Sequence, residues 1–175
     1  MNTVPIESLQ DTIRRSGGVI SGSFIFTDTS EQRLHLVDGN TIAKTYTIST
    51  SRFGIGNKAG SFRTPPGLHR IVEKIGNAAP EKRIFRDRLD TGTDWQPGLT
   101  EDNLILTRII RLRGMEPGKN SGPGIDTYER YIYIHGTNRE DAIGTPISHG
   151  CILMRNHEIV ELFNLIKEGT LVLIG

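Results

Sequence analysis

The 175-residue sequence has one cysteine, almost no net charge and no long apolar run, and each scarcity removes a class of protein. A single thiol excludes an intrachain disulfide framework, a cysteine-rich zinc module and a paired-cysteine redox site. Lys and Arg number 21 against 20 Asp and Glu, which argues against a strongly basic nucleic-acid binder and leaves only local charged patches. No apolar stretch approaches the ~20 residues that a membrane-spanning helix needs. The residues from Met1 to Ser8 lack the charged and apolar regions of an export signal. On that ground the chain is expected to be cytoplasmic, with the periplasm or cell envelope as the alternative if its native start lies upstream.

Glycine, by contrast, is plentiful at 20 residues, and the apolar fraction is 35%, a profile that suits a turn-rich β domain better than a helical bundle. Residues 5–16 read as an amphipathic helix: Pro5 suits a first position, Ile6, Leu9 and Ile13 share a face, and Gly17-Gly18 ends it. This divides the chain into a helical extension, 1–18, and a domain, 19–175. Runs at 23–27, 32–37 and 41–49 alternate apolar and polar residues, and Asp38-Gly39-Asn40 is a hairpin turn signal. Thr64-Pro65-Pro66-Gly67 marks a turn before a strand at 68–72, and 104–112 is a further strand. The rest of 79–130 is charged and rich in Gly and Pro, and is predicted to be a lid, a rim or a solvated insertion. A strand at 131–134 runs into His135-Gly136. A helix follows at 157–167, with Asn156 as N-cap, Ile159, Phe163 and Ile166 as its apolar stripe, and Gly169 as its stop. A last buried strand covers 171–174. The expected fold is mostly β, with one flanking helix near each end.

The chemistry concentrates between His135 and Cys151. A free thiol has a pKa near ~8.5, so a nucleophilic cysteine needs a neighbour that stabilises the thiolate or takes its proton. His135 ends one strand and Cys151 opens another after a connection long enough to set strand ends side by side. His149 precedes Cys151 by two residues and faces the same way only if the segment is extended. Gly150 permits a sharp bend, at which the successive N–H groups of Gly150, Cys151 and Ile152 could converge as an oxyanion hole. Three other readings fit the same residues: a buried structural cysteine, a zinc site of His135, His149 and Cys151, or Ser148 as the nucleophile.

The segment His135-Gly136, then Ser148-His149-Gly150-Cys151-Ile152-Leu153-Met154-Arg155-Asn156, resembles the signature of the L,D-transpeptidase (YkuD-like) catalytic domain. The opening hairpin around Gln32 to Gly39 and the turn Arg63-Thr64-Pro65-Pro66-Gly67 are similar to the same family. The resemblance implies a β-sandwich or barrel-like domain and a cysteine acyl transfer on peptidoglycan stem tetrapeptides that expels the terminal D-Ala. It implies Cys151 as nucleophile, His135 as general base and the Gly136 carbonyl as the group that orients His135. His149 and Ser148 would be supporting residues, the Gly150 and Cys151 N–H groups the oxyanion donors, and Asn156 a structural neighbour. No metal or cofactor is implied, and the partners are stem peptides or soluble muropeptides. At the second position after the cysteine, where the family commonly has Arg or Asn, this chain has Leu153. Arg155 and Tyr133 are the remaining candidate substrate contacts.

The apparent lack of an export signal favours water as acyl acceptor, hence an L,D-carboxypeptidase that trims tetrapeptides to tripeptides in muropeptide recycling. The alternatives are an L,D-transpeptidase that forms cross-links or attaches proteins to the wall, and a non-catalytic peptidoglycan-binding domain. Arg108, Arg111 and Arg113 are expected to lie on an exposed strand face, or else to engage carboxylates or sugar phosphates of the substrate.

Overall fold

A computed structural model describes residues 5–100 and 102–175. Helix α1 (Ile6–Arg15) is followed by an antiparallel meander of β1 (Phe24–Asp28), β2 (Arg33–Asp38) and β3 (Thr41–Thr47). Then come β4 (Gly67–Ile75), β5 (Arg83–Arg86), β6 (Leu89–Asp94), β7 (Ile105–Gly114), β8 (Tyr133–Gly136), β9 (Ile152–Met154), helix α2 (Asn156–Leu165) and β10 (Leu171–Ile174). The strands form one mixed sheet in the order β3-β2-β1-β10-β4-β7-β5-β6, with β8 branching from β7 and β9 pairing with β8. Among these strand pairs, β1–β10 and β8–β9 are parallel and the others antiparallel. Ser49, just past β3, exchanges both backbone hydrogen bonds with Leu153 of β9, at 3.0 and 2.8 Å. That pair, with the Ser51–Ser148 bridge beyond it, joins the β3 end of the sheet to the β8–β9 branch and curls the sheet toward a barrel.

The period-two alternation of β1 and β10 sorts their side chains onto two faces. Ile25, Val172 and Ile174 join Ile71, Ile110, Ile134 and Met154 on the inner face, which α2 covers with Ile159, Leu162 and Phe163. Phe24, Phe26, Leu171 and Leu173 face the other way, where α1 covers them with Leu9 and Ile13. Each such fully buried aliphatic side chain contributes roughly 1.5–3 kcal/mol. The helices therefore seal opposite faces of the sheet and leave the β7–β8–β9 region of the outer face for other use.

Several elements differ from the sequence expectation. Within 79–130 the charged stretch folds as the β5–β6 hairpin. Every side chain of β6 is exposed, so no alternation marks it, and its turn is made by Asp87 and Arg88 at φ 49° and 68° without glycine. Arg108 and Arg111 of β7 are buried, not part of an exposed strand face. Strand β8 starts at Tyr133, because Tyr131 sits in a turn at φ 56°. Asn156 is the first residue of α2 and not its cap. The Glu140 carboxylate accepts the Asn156 backbone N–H at 2.6 Å and its amide at 2.8 Å, so the end of the helix is capped from a distant loop. The helix stops at Leu165, four residues before Gly169, because Ile166 turns extended (φ −113°, ψ 161°) and is buried in the core.

Candidate active site

The parallel pairing of β8 with β9 brings the two halves of the sequence signature together. His135 is opposite Leu153 and Ile134 is opposite Ile152, so the same register sets Tyr133 beside Cys151. His135 and Cys151 are then diagonal neighbours on one face, with Cα atoms about 8 Å apart given the ~4.8 Å strand spacing and a two-residue offset. Gly136 is needed at the end of β8. A Cβ there would lie 2.5 Å from Asn156 Oδ1 and 2.7 Å from the Leu106 carbonyl.

His135 is buried, and its Nδ1 lies 2.7 Å from the Gly136 carbonyl. A carbonyl only accepts, so Nδ1 carries the proton and Nε2 is left with a free lone pair. Burial pushes the imidazole down to about 4, partly opposed by the Gly136 carbonyl, and keeps it neutral near pH 7.

Cys151 is free and half-buried. The Tyr133 N–H donates to its sulfur at 3.4 Å, and its S–H points at the Tyr131 carbonyl at 3.6 Å. Burial pushes the thiol up to about 11, against the smaller lowering effects of the Tyr133 N–H and of the Arg130 guanidinium. The resting pair is therefore a neutral thiol beside a neutral imidazole. Arg130 is pulled down by its own burial and donates to the carbonyls of Gly56 at 3.2 Å and Arg63 at 2.6 Å.

The turn that presents Cys151 is stapled from within. Ser148 Oγ donates to the Cys151 carbonyl at 2.6 Å and accepts the Gly150 N–H at 3.2 Å. Thr64 Oγ1 donates to the Gly150 carbonyl at 3.0 Å, tying the Thr-Pro turn to the cysteine loop. Gly150 has φ 124°, a conformation that breaks the alternation expected across 149–151. His149 makes its side-chain contacts with the 52–62 segment. It is exposed, lies 2.6 Å from Arg52 Nη2 and packs against the rings of Phe53 and Phe62. Arg155 is also directed elsewhere, to Glu158 at 3.6 Å. Asn156 sits behind the site, its Oδ1 accepting from Thr107 Oγ1 at 2.6 Å and its amide donating to the Thr137 carbonyl. Among the described residues no three His, Cys, Asp or Glu side chains converge as a metal site.

Tyr133 is buried with Phe85 and Ile109 against Cys151. Its hydroxyl accepts from Arg88 Nη1 at 3.2 Å, and the same guanidinium lies over the half-exposed Tyr131 ring at 5.0 Å. The β5–β6 turn therefore reaches the two tyrosines beside the thiol. Sequence reasoning missed Arg88, Arg130 and the Tyr131 and Tyr133 backbone groups. Backbone donors and acceptors leave no residue-type signal, and the two arginines come from a stretch with no recognisable motif.

The model of the L,D-transpeptidase catalytic domain, YkuD, matches residues 22–174. YqjB of Bacillus subtilis, assigned to the L,D-transpeptidases, is 44% identical over 86% of this chain and 70% of its own length. YcfS of Escherichia coli, with the same assignment, is 26% identical over 96% of the chain but only 46% of its own length. Among solved structures, L,D-transpeptidase 3 of Mycobacterium tuberculosis in complex with a faropenem-derived adduct shares the fold. Its TM-score is 0.53 at 14% identity, over 87% of this chain and 60% of that one. With the signature residues gathered on β8 and β9 and the family match spanning nearly the whole chain, the protein belongs to the YkuD family of L,D-transpeptidase catalytic domains.

Proposed function

We propose that Cys151 is the nucleophile of an L,D-transpeptidase acting on peptidoglycan stem tetrapeptides. The observation that carries this reading is the pairing of a half-buried free thiol with a neutral, tautomer-fixed His135 on the adjacent strand. The sulfur attacks the carbonyl of the third residue while its proton passes to His135 Nε2. Collapse of the tetrahedral intermediate breaks the bond to D-Ala, whose amine leaves with that proton. The amine of a second stem then attacks the thioester, gives its proton to His135 and releases the thiol. His135 moves the proton at each step, as general base and then general acid. The Cys151 N–H, at the bend made by Gly150, is the proposed oxyanion donor; the Gly150 N–H is already engaged by Ser148 Oγ. Ser148 holds the turn, and Gly136 orients His135.

Hydrolysis of the same acyl-enzyme would give the L,D-carboxypeptidase, a reading that rests on the N-terminal sequence alone. Family membership supports transfer, and transfer needs neighbouring stems as acceptors, which favours the cell envelope as the place of action. No helix among the described residues is long and apolar enough to cross a membrane.

The test is incubation of the purified protein with a stem tetrapeptide and an amine acceptor, followed by mass spectrometry. D-Ala release with a cross-linked product is expected. Tripeptide alone would replace transfer by hydrolysis, and turnover by Cys151→Ala would sink the mechanism. Absence of a covalent adduct with a penem would point instead to a binding domain.

A further inference from the structure

An open cleft of about 630 Å³ lies over the paired strands β4 and β7, lined by Arg70, Arg111, Arg113, Tyr128, Glu73 and Glu168. It is linked to the thiol through packed side chains, since Arg111 of its lining neighbours Tyr133 and Tyr133 packs against Cys151. Tyr133, packed against Cys151, is opposite Arg111 in the β7–β8 register, and Arg111 is opposite Glu73 in the β4–β7 register. Arg111 lies 5.8 Å from the Tyr133 ring and 4.1 Å from the Tyr128 ring, and Arg113 lies 4.5 Å from Tyr128. Alternating tyrosines and arginines thus run from the nucleophile into the cleft.

The charges in the cleft are not balanced. Glu73 is taken by Arg111 at 2.7 Å. Arg70 and Arg113 are direct cross-strand partners, and among the described residues neither forms a salt bridge, Glu168 included. Like charges directly opposite on antiparallel strands are destabilising, and a bound anion removes that cost. Stacking on Tyr128 fixes Arg113 while leaving its N–H fork available to a carboxylate.

We infer that this cleft is a second recognition site, which holds a carboxylate of the acyl-donor peptide on the side away from the leaving residue. The inference rests on the reading of Cys151 given above. Two strand spacings across and two residues along put Arg113 about 12 Å from Cys151, the span of three to four residues of extended chain. A donor peptide seated on the thiol can therefore reach the arginines with a carboxylate of its own.

Binding is measured by calorimetry with Cys151→Ala protein, using a stem tetrapeptide whose internal carboxylates are free and the same peptide with them amidated. The free acid is expected to bind about tenfold more tightly, and Arg70→Gln/Arg113→Gln to abolish that difference. Equal affinity for the two peptides, or a difference that survives the double substitution, overturns the inference. Arginine-dependent binding of a peptide that the Cys151 protein does not turn over would leave the recognition site standing and remove the proposed activity instead.

Discussion

Leu153 lies directly opposite His135 in the parallel β8–β9 register, and both side chains are buried. The position that the family signature commonly fills with Arg or Asn is therefore an apolar flank of the imidazole. Burial is the main cause of the depressed His135 pKa, and no charged group opposes it. Replacing Leu153 by Asn should hydrate this flank and raise the His135 pKa by about one unit, since desolvation is what holds it down. Titration of the imidazole by NMR checks this. An unchanged pKa would mean that Leu153 is not part of what dries the ring.

A neutral thiol and a neutral imidazole also dictate an unusual pH response. His135 is depressed to about 4 and Cys151 is raised to about 11, so no ion pair forms between these limits. Acylation by a peptide substrate, which proceeds through base-assisted attack, should be nearly flat from about pH 5 to 9 and fall only as His135 gains its proton. Alkylation by iodoacetamide needs preformed thiolate and should keep rising well above the ~8.5 of an ordinary cysteine. A plateau of alkylation near neutrality would show a thiolate–imidazolium pair and overturn this assignment.

Most of the candidate site was legible in the sequence because its proposed members are set by residue type: a thiol, an imidazole and glycines at bends. Side-chain direction was less so. The φ of 124° at Gly150 turns His149 toward Phe53 and Phe62, an outcome that spacing alone leaves open. The β5–β6 hairpin left no trace because β6 buries nothing and its turn uses Asp87 and Arg88 in place of Asn-Gly. Asn156 illustrates a tertiary override. Its side chain fits an N-cap by type, yet Glu140 supplies the cap and frees the amide to brace Thr107 and Thr137 behind His135.

The staple within the cysteine turn makes separable demands at Ser148 and Gly150. Ser148→Ala removes two hydrogen bonds from a buried site and should cost roughly 1–3 kcal/mol, with slower acylation because the Cys151 carbonyl loses its partner. Ser148→Thr keeps the hydroxyl and should retain most activity. Gly150→Ala meets Ile132 Cδ1 at 2.9 Å, and its φ of 124° is one that an L side chain rarely adopts. The clash is with a flexible side-chain end, so Ile132→Val should relieve it, whereas the backbone strain of about 1–3 kcal/mol should persist in the double variant. Chemical denaturation of the four variants tests this. Full rescue by Ile132→Val would show that space, and not conformation, requires the glycine.

The last prediction concerns His69, which lies far from the thiol along the chain and is fully buried on β4. Its Nδ1 lies 3.0 Å from the Gly67 carbonyl and so carries the proton, while Nε2 lies 3.0 Å from Thr127 Oγ1 and accepts from it. The neutral ring thus clasps the 115–132 loop to β4. Burial pushes His69 down to about 4, against smaller raising effects of the Gly67 carbonyl and Glu116. Above pH 6.5 both folded and unfolded states hold a neutral ring, and the clasp contributes fully. As pH falls from 6.5 to about 4 the unfolded chain takes up a proton that the folded chain refuses, so stability drops, by about 3 kcal/mol for a shift of this size. His135 adds a loss of the same sign over the same window. Urea unfolding at pH 7 and pH 4.5 should show this decline, and His69→Gln, which retains a donor for Gly67, should show a visibly shallower one. An identical pH slope in the variant would mean that His69 does not stay neutral in the folded protein.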